Sequence, residues 1–124
     1  MSAPVILICD DSILARKQLS DVVKSTFDDV EILEAANGKI GVELFNEKKP
    51  DLTFIDLTMP VMDGTTAIAE MTKERPDANI IVVSSIGTKN ELRKSIEAGA
   101  RDFIQKPFSE KQIMLLLESY FKED

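Results

Sequence analysis

The chain has 124 residues, enough for one domain around one core, and its 44 % apolar content is near the globular average. Twenty-two acids against 15 bases leave a net charge of −7, which excludes the clustered positive surface that nucleic acid or an anionic membrane would need. With no histidine and a single cysteine, imidazole chemistry and an internal disulfide are both excluded, so any chemistry must run on carboxylates, hydroxyls and lysine.

The first apolar run, Val5–Cys9, predicts a strand buried on both faces, because it shows no alternation. It ends in Asp10-Asp11, and Cys9 within it reads as a small apolar residue rather than a reactive thiol. A helix follows with Ala15, Leu19, Val22 and Val23 on one face. A second strand is expected over Val30–Leu33, and Asn37-Gly38 sits where the second helix should begin. The third strand, Leu52–Ile55, ends in Asp56. Asp63-Gly64 then marks the turn into a third helix carrying Ala67, Ile68 and Met71. The fourth strand, Ile80–Val83, ends in Ser84-Ser85; its helix carries Leu92 and Ile96 and closes at Gly99, a residue suited to a left-handed cap. The fifth, Asp102–Ile104, runs into Lys106-Pro107, and Ser109 with Gln112 makes a capping box for the last helix. On that helix Ile113, Leu116, Leu117 and Tyr120 form one stripe for the sheet. Met114, Leu115 and Phe121 are surplus to it, and they either offer a partner face or fold back at the end of the chain.

Strand–helix alternation of this kind predicts an α/β fold: a five-stranded, doubly wound parallel sheet with helices on both faces, in the flavodoxin-like order 2-1-3-4-5. Residues 1–124 are expected to form this one domain, with no room for an output domain. The Met1 to Val5 segment lacks the basic start and long apolar run of a signal peptide, and the longest apolar stretches are too short to span a bilayer. A cytoplasmic monomer without membrane insertion or nucleic-acid binding is the expectation.

In such sheets ligands bind beyond the carboxyl ends of the strands. Three carboxylates (Asp10, Asp11 and Asp56), a hydroxyl (Ser84) and an ammonium (Lys106) are expected at that edge. Three acids in one cleft repel each other unless a cation neutralises them, and hard oxygen ligands with open positions suit Mg²⁺. A carboxylate is a competent nucleophile toward a phosphoryl group, and a metal, a lysine and a hydroxyl are the groups that stabilise its transfer. Each residue alone has a blander reading: Asp10-Asp11 as a helix cap, Asp56 as a loop acid, Lys106 as a solvated lysine, Phe103 as a static core aromatic.

The stretches Ile8-Cys9-Asp10-Asp11-Ser12, Asp56-Leu57-Thr58-Met59-Pro60 with Asp63-Gly64, Val83-Ser84-Ser85 and Gly99 to Phe108 stand in order, each at the right strand end. Together they resemble the receiver domains of two-component response regulators from Val5 to about Phe121, most closely the stand-alone, CheY-like chemotaxis type. The resemblance implies that Asp56 is the phosphoacceptor, with a histidine kinase or a small phosphodonor as the source. It implies that Asp11, Asp56 and the Thr58 carbonyl ligate Mg²⁺ while Asp10 holds metal-bound water. Ser84 would donate to the phosphoryl oxygen, Lys106 would pair with Asp56 and then with the phosphoryl group, and Phe103 would be the aromatic switch. It also implies a cis Lys106–Pro107 bond, a surface of helix four, strand five and helix five for a downstream target (a motor component, a phosphatase or a phosphotransfer protein), and no enzymatic turnover beyond slow self-dephosphorylation. A phosphate sink or phosphorelay shuttle is the alternative within the same class.

Where relatives often carry threonine and tyrosine, this chain has Ser84 and Phe103, and the apolar Ile86 stands where some carry a polar group beside the attacking water. Two rival classes are weaker. A flavodoxin-like carrier would need hydroxyls and amides after strand one, where Asp10-Asp11 would repel flavin phosphate. An aspartyl phosphatase of the haloacid-dehalogenase kind would carry a second acid where Thr58 stands.

Overall fold

The computed structural model describes residues 3–121. Ten elements alternate: β1 (Val5–Cys9), α1 (Ile13–Thr26), β2 (Glu31–Ala35), α2 (Gly38–Lys48), β3 (Leu52–Ile55), α3 (Gly64–Glu74), β4 (Ile80–Ser84), α4 (Lys89–Ala98), β5 (Asp102–Gln105) and α5 (Glu110–Tyr120). All strand pairs are parallel, in the order β2-β1-β3-β4-β5. The expected doubly wound sheet is therefore present, and its switch point falls between β1 and β3, where the chain order reverses.

The inner strands bury nearly every side chain, and successive residues enter opposite cores. Leu7, Cys9, Ile55, Ile80 and Val82 pack with Phe45 of α2 and Ala67, Ile68 and Met71 of α3. Ile6, Ile8, Phe54, Ile81, Val83 and Ile104 pack with Leu19, Val22 and Val23 of α1 and Ile113 and Leu117 of α5. Burying a side chain of this size contributes about 1.5–3 kcal/mol, so the inner strands supply much of the fold's stabilisation.

The punctuation read from the sequence acts as caps. Asn37, Asp63 and Ser109 accept from the amides of Ile40, Thr66 and Gln112, and Gln112 returns a bond to complete the capping box. Gly99 closes α4 at φ 128°, a region hostile to a side chain. Strand β2 departs from expectation, starting at Glu31 and reaching Ala35, because backbone pairing continues from Val5↔Glu31 to Cys9↔Ala35. Pairing rather than apolar content sets the length of this edge strand. Of the surplus apolar residues on α5, Phe121 folds back and meets Phe27 edge-on with ring centroids 5.2 Å apart. Met114 is half-buried, and Leu115 is left 55 % exposed. The fold-back reading holds for Phe121, and the solvent-facing remnant of the surplus is Leu115.

Candidate functional site

Alternation along the strands determines which side chains share an end of the sheet. Asp10, Asp56 and Lys106 continue the parity of Ile8, Phe54 and Ile104, on the α1/α5 side. Ser84 continues the parity of Val82, whose register partner on β5 is Phe103, so both belong to the α2–α4 side. Ligand oxygens of Asp10, Asp11 and Asp56 all lie within 4.8 Å of one another.

Asp10 is buried, and each of its carboxylate oxygens accepts one hydrogen bond. Its Oδ1 accepts from the Ser12 amide at 2.9 Å and its Oδ2 from Lys106 Nζ at 2.7 Å. The same ammonium donates to Asp56 Oδ2 at 3.1 Å, and Asp56 Oδ1 receives the Thr58 amide at 3.3 Å. Burial pulls the Lys106 ammonium toward deprotonation, but hydrogen bonds to Asp10 and Asp56 and their charges outweigh it. Its pKa rises above the ordinary value, so the side chain stays charged at neutral pH. Asp11 is different: it is exposed, and its carboxylate takes part in no hydrogen bond among the described residues. The sequence reading paired Lys106 with Asp56; in the structure its shorter contact is with Asp10.

Ser84 is buried, and its Oγ accepts from the Ile86 amide at 3.3 Å, which leaves the hydroxyl proton free to donate elsewhere. Lys106 N donates to the Ser84 carbonyl at 2.8 Å, tying these two residues through the backbone. Phe103 and Ile86 are half-buried against the α2–α4-side core. The Lys106–Pro107 bond is cis, as expected. Cys9 is buried directly before the acids, and burial first, then the charge of Asp10, pushes its thiol well up, as its reading as an inert apolar residue requires.

The loop after Asp56 is pinned at both ends. A Cβ on Gly64 would run into the Asp56 carbonyl oxygen, and Gly64 N donates to Leu57 O at 2.9 Å. A Cβ on Gly38 would strike the Met62 carbonyl oxygen, which accepts from Gly38 N. Between these pins Met62 N donates to Pro60 O at 2.7 Å, a three-residue turn that forces the exposed Val61 to φ 70°.

Two groups escaped the sequence reading. Arg16 of α1 donates from Nη1 to the Asp10 carbonyl at 2.6 Å and from Nε to Glu34 at 2.9 Å. Its only sequence signal is a cation early in a helix, where the macrodipole disfavours it and a specific acceptor is called for. Ile13 and Leu14, 76 % and 65 % exposed, begin α1 beside the acids. A cleft of about 600 Å³ lies farther along α1, lined by Gln18, Val22, Pro107 and Phe108 among others.

Three carboxylates with one open to water make a hard, oxygen-only donor set that fits a divalent cation of the Mg²⁺ type. The fold and site thus define a doubly wound α/β domain with an acid–lysine cleft at its switch point. The chain belongs to the response regulator receiver domain family, whose model matches residues 6–118. It is 40 % identical over 117 residues to the chemotaxis protein CheY of Thermotoga maritima, covering 94 % of this chain and 97 % of that one. Over 110 residues it is 42 % identical to CheY of Bacillus subtilis, covering 88 % and 90 %. The CheX–CheY–BeF3–Mg²⁺ complex from Borrelia burgdorferi superposes with a TM-score of 0.88 at 28 % identity, covering 97 % of this chain and 90 % of that one. The domain is a CheY-like receiver, and its class of work is two-component phosphoacceptor signalling. No helix among the described residues is long and apolar enough to cross a membrane.

Proposed function

We propose that the domain accepts a phosphoryl group on Asp56 from a histidine kinase or a small donor such as acetyl phosphate. The observation that carries this is the gathering of Asp10, Asp11 and Asp56 into one acidic cluster, with the Lys106 ammonium bonded to Asp10 and Asp56. A carboxylate oxygen of Asp56 forms the bond to phosphorus while the donor's bond, to a histidine nitrogen or an acyl oxygen, breaks, leaving an aspartyl phosphate. Lys106 and the free proton of Ser84 meet the charge on the transferring oxygens. Mg²⁺, held by Asp11, Asp56 and the Thr58 carbonyl with Asp10 behind a bound water, would supply the charge neutralisation that lets anionic donor and anionic acid approach. The Borrelia relative, solved with Mg²⁺ and BeF3, supports this assignment. The exposed Ile13 and Leu14 suit a protein donor docking at the mouth.

The output is a change of surface. Ser84 and Phe103 share one side of the sheet, and drawing Ser84 toward the phosphoryl group opens room for Phe103 to turn inward. The responding face is α4–β5–α5, where Leu92, Ile96 and Leu115 are exposed and Met114 is half-buried. A downstream chemotaxis protein is the partner. With Thr58 in place of a second acid, the phosphorylated form decays slowly by itself and small phosphates are not turned over. Intact-mass measurement after acetyl phosphate treatment tests the assignment. One phosphoryl should add to the wild type and none to Asp56→Asn, and full labelling of the variant would overturn it.

A further inference from the structure

Asp11 sits in the acidic cluster with no hydrogen bond to its carboxylate among the described residues, so its backbone must aim it. The peptide unit between Asp10 and Asp11 carries one acceptor, the Asp10 carbonyl oxygen. Arg16 Nη1 donates to that oxygen at 2.6 Å, from a side chain only 15 % exposed. The Nε of the same guanidinium donates to Glu34 at 2.9 Å, on edge strand β2, where Glu34 pairs in register with Ile8. A planar fork held at one corner by Glu34 has its other corner fixed, and with it the plane of the Asp10–Asp11 peptide. Asp10's side chain is secured separately by Ser12 and Lys106, so Arg16 is not needed to hold that carboxylate.

We propose that Arg16, anchored by Glu34, is a positioning residue that orients Asp11 for the divalent cation. This rests on the metal role of Asp11 proposed above. Outer partners of metal ligands contribute substantially to affinity because they remove orientational freedom from the ligand. Geometry and charge make opposite predictions here. Removing a nearby positive charge alone would tighten cation binding, whereas releasing the peptide plane would weaken it. A lysine keeps the charge but lacks the rigid planar fork that would hold the two acceptors in one fixed geometry.

Titrating MgCl2 into the unphosphorylated chain by calorimetry, at low and high KCl, separates these effects. Wild type should bind and Asp11→Ala should not. Arg16→Met and Arg16→Lys should both bind on the order of tenfold more weakly, in high salt as in low, with melting temperatures in EDTA close to wild type. Glu34→Met, which leaves Arg16 in place but removes the acceptor that anchors its fork, should fall between them and wild type. This last variant keeps the test open if the Arg16 variants fold poorly. Wild-type affinity in Arg16→Lys or Glu34→Met, or tighter binding in Arg16→Met, would overturn the positioning role while leaving the metal site standing. A wild type that does not bind Mg²⁺ would overturn the site and this role together.

Discussion

The Lys106 ammonium lies 2.7 Å from the carboxylate of Asp10, a residue 96 positions earlier in the chain. Asp10 is 2 % exposed, so without a counter-charge its ionised form would face the several kcal/mol that desolvation costs a buried ion. Lys106 supplies that counter-charge and reaches Asp56 as well. The resting site is therefore only partly neutralised from within, and a cation binding there would share Asp10 and Asp56 with an ammonium.

Replacing Lys106 with Met should accordingly tighten Mg²⁺ binding, on the order of tenfold for removing one positive charge from beside the cation. The variant should be less stable without metal, by about 2–4 kcal/mol because a buried acid loses its partner. Added Mg²⁺ should raise its melting temperature more than that of wild type. Labelling by acetyl phosphate should nevertheless slow, since the transferring oxygens lose a cation. Calorimetry and thermal melts check both; a smaller Mg²⁺ effect in the variant than in wild type would sink the competition.

Gly64 sets how closely α3 approaches the end of β3. A Cβ there strikes the Asp56 carbonyl and lies 2.7 Å from the Leu57 Cα, both backbone atoms with little freedom to yield. Gly64→Ala should cost about 1–3 kcal/mol in urea unfolding, the usual scale of overpacking. Because the collision falls on Asp56 itself, labelling should slow even under conditions where the variant is fully folded. Gly38→Ala presses on Met62 instead and should lose stability with less effect on labelling. Equal loss of labelling in the two would contradict this division.

The acids, Ser84 and Lys106 were legible in the sequence because parallel strands buried on both faces leave unbroken apolar runs. The polar residue that ends each run then falls at the ligand-binding edge. Asn37, Asp63 and Ser109 were legible because caps act locally. Arg16 was not, since its two acceptors are brought together by the β1–β2 register and no spacing encodes it. Nor was the closer approach of Lys106 to Asp10 than to Asp56, which depends on side-chain reach across the sheet end. Phe121 left two readings open because a residue beyond the last helix can be placed only by what it meets, here Phe27.

Val61 is a branched residue held at φ 70° while 76 % exposed, so its side chain gains little from packing and carries the full steric cost of that conformation. Asn tolerates positive φ far better, because its short polar side chain bonds locally. Val61→Asn should therefore stabilise the domain by about 1 kcal/mol, read as a raised urea midpoint with an unchanged slope. The Pro60–Met62 turn should persist, so Mg²⁺ affinity should stay near wild type. A lowered midpoint would mean that Val61 makes favourable contacts that its exposure conceals.

The lifetime of the phosphorylated form should depend on Ile86. On the proposed function, hydrolysis needs a water in line with the bond from phosphorus to Asp56, and the loop after β4, tied to Ser84, would border that approach. Ile86 donates its amide to Ser84 and rests half-buried on the α2–α4-side core, so its branched chain presents carbon where a relative could present a polar group. Carbon can neither orient water nor accept from it. Ile86→Gln adds an acceptor without a further negative charge beside three carboxylates. Loss of label, followed by intact mass after donor removal, should speed up on the order of three- to tenfold, short of the hundredfold or more that a positioned acid–base group supplies. Some packing is lost with the isoleucine, and Ile86→Ala reproduces that loss without the amide. The alanine variant should decay more slowly than the glutamine one. Matching rates in the two would show that loosening of the loop, rather than a positioned water, governs decay.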